Sequence, residues 1–190
     1  MKDYIAIDLE TTGFKYTSKI IEIGAIRVIG GVAKDKFETK INPADILTPN
    51  MTIPRDITEI TGITNDDVKN APILEDVLPD LYNFMGDLPL LAHNIQFDYN
   101  ILKYNANLLG YDFTIGGTRK GICTLMLARK LYPNMEHHRL IDMVTKLVPR
   151  FSNGKFHSAY YDAYMCKLIY DVMLDKYGEI LGVKEPTILE

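Results

Sequence analysis

The stretch Tyr4-Ile5-Ala6-Ile7-Asp8-Leu9-Glu10-Thr11-Thr12-Gly13 decides how the rest of the chain is read. Its first half is short, aliphatic and β-branched, the signature of a buried strand, and Thr-Thr-Gly supplies a stop. Successive strand side chains alternate. Asp8 and Glu10 therefore share a face with Tyr4 and Ala6, and Ile5, Ile7 and Leu9 point the other way. Two carboxylates at that spacing repel each other and lose hydration at the end of a buried strand. A bound cation relieves the conflict, and so does a strand that simply ends in water. What decides between them is whether further acids converge on the same place.

Working outward, Lys15 to Lys19 reads as a polar hairpin loop and Ile20 to Ile29 as a second strand. Gly30-Gly31 forms a tight turn, and Asp35 to Asn42 a third strand. Three strands on short connections suggest an antiparallel meander. A proline-punctuated loop, Pro43 to Pro54, follows. Ile73, Val77, Leu81 and Phe84 or Met85 then form the stripe of a helix closed by Gly86, and Leu88 to Ala92 is a short apolar strand. Asn94 is placed to N-cap a helix carrying Phe97, Ile101, Tyr104 and Leu108, with Gly110 beyond its end. Ile122 to Leu131, Leu140 to Val148 and about Ala159 to Tyr177 read as further helices. Strands, then alternating helix and strand, then helices imply one α/β domain with a mixed sheet covered by helices. Its expected span is residues 1–178, with 179–190 a short tail.

The bulk numbers set limits. A chain of 190 residues, 47% hydrophobic and 24% charged, suits one well-packed domain. No apolar run nears the roughly 20 residues a membrane span requires, and the N-terminus is not a signal peptide. Cys123 and Cys166 lie far apart and form no CxxC pair, so free thiols in a cytoplasmic protein are expected. A net charge of −4 argues against a long nucleic-acid footprint and for weak salt dependence. It is compatible with gripping a chain end through bound divalent cations, whose positive charge offsets the deficit.

Two other acids are oddly placed. Asp98 falls in the first turn of its helix, where the dipole favours an anion, yet it shares a stripe with Ile101, Leu102 and Leu108. Asp162 precedes Cys166, Ile169 and Met173 at helical spacing, on the core-facing side of the last helix. A carboxylate there is expensive unless it is paired, with Arg129 or Lys155 as candidates, or bound to metal. His157 stands five residues before Asp162, about 140° away on a continuous helix. Gly154 and Ser158 suggest instead that His157 lies on the entering loop, leaning over whatever Asp162 holds. His93-Asn94 is expected to close the fourth strand through hydrogen bonds; His137 and His138 carry no signal.

Three ordered motifs emerge: Asp8-Leu9-Glu10-Thr11-Thr12-Gly13, His93-Asn94-Ile95-Gln96-Phe97-Asp98 and His157-Ser158-Ala159-Tyr160-Tyr161-Asp162. Together they resemble the exonuclease motifs of the DEDDh (DnaQ-like) branch of the 3′–5′ exonuclease superfamily. Ile60-Thr61-Gly62-Ile63-Thr64 and Cys123 to Arg129 resemble the DNA-polymerase members most, namely the polymerase III epsilon subunit and the exonuclease domain of Gram-positive replicative polymerases. Tyr160 and Tyr161 depart from the family, where smaller or aliphatic residues are common.

The resemblance implies an RNase H-like fold, a five-stranded mixed sheet flanked by helices. It also implies that Asp8, Glu10, Asp98 and Asp162 hold two Mg²⁺ or Mn²⁺ ions, with His157 taking the proton from the attacking water. The product would be a nucleoside 5′-monophosphate. By the same matching, Thr11, Thr12, Gly13 and Phe14 border the terminal nucleotide. Ile60 and Thr61 pack on or between the last bases, and Asn94 and Phe97 lie by the terminal sugar or base; Ile60 and Phe97 also fit apolar core patterns. The implied substrate is a single-stranded or frayed DNA 3′ end, degraded distributively. The alternatives are an RNA exonuclease of the RNase T or oligoribonuclease type and a non-catalytic end- or partner-binding module. Loss of a carboxylate would mark the latter, and none is lost. A replicative polymerase is the implied protein partner, without the long C-terminal segment an epsilon subunit uses to hold it.

Overall fold

Residues 4 to 7 are all fully buried on both strand faces, which only a strand at the centre of a covered sheet explains. The computed structural model describes residues 3–44, 48–113 and 121–181, with side chains to residue 176. Strand β1, Tyr4–Thr11, pairs antiparallel with β2, Ile20–Ile29, placing Asp8 opposite Gly24 and Glu10 opposite Glu22. Gly30 and Gly31 take positive φ in the turn to β3, Val32–Lys40, which pairs antiparallel with β2. On its other side β1 pairs parallel with β4, Leu90–Ala92, which pairs parallel with β5, Gly121–Cys123. The sheet order is β3-β2-β1-β4-β5. The expected five-stranded mixed sheet with flanking helices is what the chain forms.

Helices cover both faces. In chain order they are α1 Arg55–Thr61, α2 Asn65–Val68, α3 Leu74–Met85, α4 Ile95–Leu108, α5 Thr124–Leu131, α6 Leu140–Leu147 and α7 Ala159–Leu181, with a 3-10 turn at Pro149–Phe151. Ile5, Ile7 and Leu9 enter one core with α3 and α4 through Leu78, Leu81, Ile101 and Leu102. Tyr4 and Ala6 enter the other with α5 to α7 through Leu127, Met143, Met165 and Ile169. Tyr4 meets Tyr170 edge-on, ring centroids 5.3 Å apart, which fixes α7 across the face that also carries Asp8 and Glu10.

Several boundaries differ from the sequence reading. β3 starts at Val32 and ends at Lys40; Asn42 instead makes an isolated parallel bridge with Ile73. The helix expected from Ile122 begins at Thr124, because Gly121 to Cys123 extend the sheet as β5. Three residues carry too little period to separate a strand from a first helical turn. α1 and α2 went unread because, at seven and four residues, neither completes a stripe. α7 continues past Tyr177 to Leu181, and residues 182–190 of the expected tail lie outside the described residues. No helix among the described residues is long and apolar enough to cross a membrane.

Candidate active site

The C-terminal end of the central strand β1 and the starts of α4 and α7 meet at one end of the sheet, and the acidic residues gather there. β1 presents Asp8 and Glu10, both partly exposed. Asp98, in the first turn of α4, is 4% exposed, and its Oδ1 accepts the Leu9 backbone N–H at 3.1 Å, tying α4 to β1. Asp162, in the first turn of α7, is 7% exposed. Its Oδ2 accepts the His157 backbone N–H at 3.1 Å, while its buried Oδ1 has no hydrogen-bond partner.

Close backbone approach makes this convergence possible. A Cβ on Gly24 would overlap the backbone of Ala159 and Tyr160, so only glycine opposite Asp8 lets α7 begin directly on the sheet. A Cβ on Gly154 would overlap the Tyr161 ring, whose hydroxyl donates to the Phe151 carbonyl at 2.7 Å. Tyr161 thus pins the loop that carries His157. His157 lies on that entering loop, exposed, with a φ of +63°. A ring nitrogen of His157 and one carboxylate oxygen each of Glu10 and Asp162 all lie within 4.8 Å of one another.

Among the described residues no Lys or Arg pairs with any of these acids, so Arg129 and Lys155 do not serve Asp162. The electrostatic consequence is uniform. Burial first, and then Asp98, Asp162, Glu10 and Glu22, push the Asp8 carboxyl well above the usual range. Burial, helped by Asp162, Glu22 and Asp98, lifts Glu10 to about 8. Burial also lifts Asp98 and Asp162 to about 7, opposed by the backbone N–H groups they accept. Clustered acids without a counter-charge, one of them keeping a buried oxygen unpartnered, are a donor set for hard divalent cations. The residues fit such a group.

His93 stands behind the site. Its Nδ1 lies 2.9 Å from Thr124 Oγ1 and its Nε2 2.7 Å from the His138 carbonyl, closing the end of β4 as expected. Burial lowers its pKa. Asn94 is the N-cap residue of α4, as expected, but not through its side chain: it adopts a left-handed φ of +75° and makes no side-chain capping bond. It turns the chain from β4 into α4, a conformation Asn tolerates better than most residues.

The remaining residues split. The Thr11 hydroxyl donates to the Gly13 carbonyl at 2.6 Å, and Thr12 Oγ1 accepts from the Lys19 N–H at 3.0 Å, so both side chains brace the turn after β1. Phe14 beyond it is 71% exposed. With Tyr16, Asn94, Gln96, Phe97 and Asn100 it lines an open cavity of about 270 Å³ at the start of α4. Phe97 packs partly on the α3/α4 core. Ile60 is 43% exposed on α1 and no core residue, and Thr61 accepts from Ile63 N–H at the end of that helix. Sequence reasoning passed over Glu22, which is 8% exposed, faces Glu10 across β1 and β2, and acts electrostatically on Asp8, Glu10 and Asp162. Its signal was a carboxylate inside the apolar run Ile20-Ile21-Glu22-Ile23.

Comparison with known proteins agrees with this geometry. The family model described as "Exonuclease" matches residues 5–170. The chain is 33% identical over 181 residues to DNA polymerase III subunit epsilon of Aquifex aeolicus (strain VF5), covering 92% of this chain and 84% of that one. It is 35% identical over 161 residues to the PolC-type DNA polymerase III of Bacillus subtilis (strain 168), covering 84% of this chain but spanning only 10% of that much longer protein. Exonuclease X, solved in complex with 5′ overhanging duplex DNA, is 26% identical at a TM-score of 0.68, with 92% of this chain and 93% of that one covered. The nuclease domain of 3′hExo, a DEDDh family member bound to rAMP, has the same fold at a TM-score of 0.79 and 21% identity, with 100% and 96% covered. The chain belongs to the exonuclease family that this model describes.

Proposed function

We propose that residues 1–178 are an exonuclease domain that removes nucleoside 5′-monophosphates from the 3′ end of single-stranded or frayed DNA, in proofreading or repair. The observation carrying this reading is the set of four interacting acids without a basic partner among the described residues, two of them, Glu10 and Asp162, beside His157. The family supports the nuclease chemistry, and the similarity to polymerase III epsilon and PolC-type chains favours DNA over RNA. The same similarity makes a replicative polymerase the candidate partner in the cytoplasm.

Asp8, Glu10, Asp98 and Asp162 would hold two divalent cations, Mg²⁺ or Mn²⁺. When bound, these supply Lewis acidity at the scissile phosphate and neutralise developing charge. The chain supplies the rest. A ring nitrogen of His157 accepts the proton of the attacking water, a task that suits an exposed imidazole held beside two carboxylates. The left-handed backbone at His157, fixed by Asp162 Oδ2, aims that ring into the site. The turn of Thr11, Thr12 and Gly13 borders the 3′ terminus. Phe14, Phe97 and Asn94 line an open cavity that would take the terminal base, and Ile60 and Thr61 on α1 would pack on or between the last bases. Stacking accepts any base, as an enzyme working on arbitrary ends requires.

The test is a degradation assay on matched 3′- and 5′-labelled DNA and RNA oligonucleotides with Mg²⁺, Mn²⁺ or chelator. The expected result is cation-dependent monophosphate release from DNA 3′ ends, slowed by roughly 10²- to 10⁴-fold in His157→Ala with its melting temperature unchanged. Release from 5′ ends, or none at all, refutes the reading. A strong preference for RNA moves the substrate to the RNase T class.

A further inference from the structure

Glu22 is out of place by every stabilising rule. It is 8% exposed in a strand whose neighbours from Ile20 to Ile26 are otherwise buried apolar residues or glycine. It stands directly across from Glu10, a like charge, and no Lys or Arg pairs with it among the described residues. Its one side-chain hydrogen bond among the described residues is long-range: Oε2 accepts the backbone N–H of Ala159, the first residue of α7, at 2.8 Å. The first N–H groups of a helix lack partners within the helix; a side chain at the N-cap position ordinarily meets that of the second or third residue and leaves the first to water or to another part of the chain. Ser158 occupies that local position, yet its hydroxyl makes no hydrogen bond among the described residues; only its carbonyl joins the helix, accepting from Asp162 N–H. The cap of α7 has been moved from the adjoining residue to the sheet.

That relocation changes what the cap controls. A local cap steadies a helix without saying where the helix lies. A cap reaching from β2 fixes the first turn of α7 relative to the strand beside β1. Ala159 stands two residues after His157 and three before Asp162, so the anchored amide sits between the two groups that must meet Glu10. Two other contacts work in the same place: Gly24 lets the backbones touch, and Lys36 lies over the Tyr160 ring at 4.9 Å. Both are tolerant of sliding. The Glu22 bond is directional and sets the height of the helix along the sheet.

We propose that Glu22 is a positioning residue, whose carboxylate clamps the first turn of α7 to β2 and so holds His157 and Asp162 at their working distance from Glu10. The proposal rests on the roles given above to His157 and Asp162. What matters is the hydrogen-bond acceptor. The carboxamide of Glu22→Gln keeps an oxygen aimed at Ala159 N–H, whereas Glu22→Ala leaves that amide buried and unmet.

The experiment compares Glu22→Ala and Glu22→Gln with the wild-type chain by oligonucleotide kinetics and by amide hydrogen exchange over residues 157–162. In Glu22→Ala kcat should fall roughly 10- to 100-fold, the scale of a small misplacement of reacting groups, while KM for the oligonucleotide stays within about two-fold. Exchange in the 157–162 segment should accelerate in the same variant. Glu22→Gln should retain kcat within about three-fold and exchange slowly, because the bond survives. Wild-type kcat in a folded Glu22→Ala overturns the clamp. So does unchanged exchange in that variant, or a Glu22→Gln that loses as much activity as the alanine. Should Glu22→Ala fail to fold, the glutamine variant alone decides. Should the wild-type chain degrade no oligonucleotide, the function proposed above fails, and the exchange data still judge the clamp.

Discussion

Substituting Asp162 by Asn should stabilise the cation-free protein at alkaline pH, although it removes a metal ligand. Asp162 is 7% exposed, and burial raises its pKa from 3.8 to about 7. A carboxyl whose folded pKa lies above its unfolded value binds more protons folded than unfolded between the two. Its contribution is therefore complete at low pH and is lost as pH rises through the folded value. Ionising Asp162 in place costs about 4 kcal/mol in full, of which about 2 kcal/mol falls between about pH 5.5 and about pH 8.5. For a chain of this size that is a fall in melting temperature of roughly 4–8 °C. His93, whose pKa burial lowers, acts in the opposite sense below about pH 6.5, and the difference between wild type and Asp162→Asn cancels it. The assay is thermal or denaturant unfolding of both chains in chelator across that range, repeated in Mn²⁺. In chelator the variant should gain on the wild type by about 2 kcal/mol as pH rises. In Mn²⁺ the order should reverse, because a cation at about 100 times its dissociation constant adds about 3 kcal/mol to a chain that holds it. A wild-type stability in chelator that rises with pH relative to the variant would refute the claim that these acids are buried without counter-charge.

Two further substitutions probe the geometry. Gly24→Ala drives a methyl into the backbone of Ala159 and Tyr160, so it should cost about 3 kcal/mol or more and abolish turnover; a melting temperature within about 2 °C of wild type would contradict the close approach. Phe14→Ala removes a ring that is 71% exposed, so the melting temperature should not move, while KM for single-stranded DNA rises roughly 10- to 100-fold. An unchanged KM would take Phe14 out of the substrate site.

The parts of the molecule legible in its sequence are those where local pattern and tertiary fate coincide. Ile5, Ile7 and Leu9 alternate with Tyr4 and Ala6, and both sets are buried, in different cores, because β1 is central. Asp98 and Asp162 betrayed themselves as charges on apolar stripes, and His157 as a residue too far round the helix to face Asp162 unless it lay on a loop. What escaped notice depends on partners remote in sequence. β5 is three residues long and exists because Leu90 to Ala92 offer it an edge. Glu22 acquires meaning from Ala159, 137 residues away. Asn94 read as a side-chain cap because Asn often caps; its left-handed backbone answers the need to turn sharply out of β4, which no single-residue preference reports.

The two non-glycine residues with positive φ among those described are Asn94 and His157, four and five residues before Asp98 and Asp162. Left-handed backbone is costly for most residues, and the surroundings must hold it in place. At both positions the turn lets a helix begin abruptly beside the sheet, so that its first-turn carboxylate, which the helix dipole favours, arrives next to Asp8 and Glu10. The dipoles of α4 and α7 thereby set partial positive charge against a cluster that otherwise lacks it. They do not suffice: Asp98 and Asp162 remain lifted to about 7 even with backbone N–H groups bound to each. The fold therefore carries a negative charge, growing as pH rises through the lifted carboxyl range, that a proton or a cation must neutralise. Wherever the strained entries at Asn94 and His157 were relaxed, the acids would separate, stability without metal would rise, and the capacity to hold the cations would be lost with it.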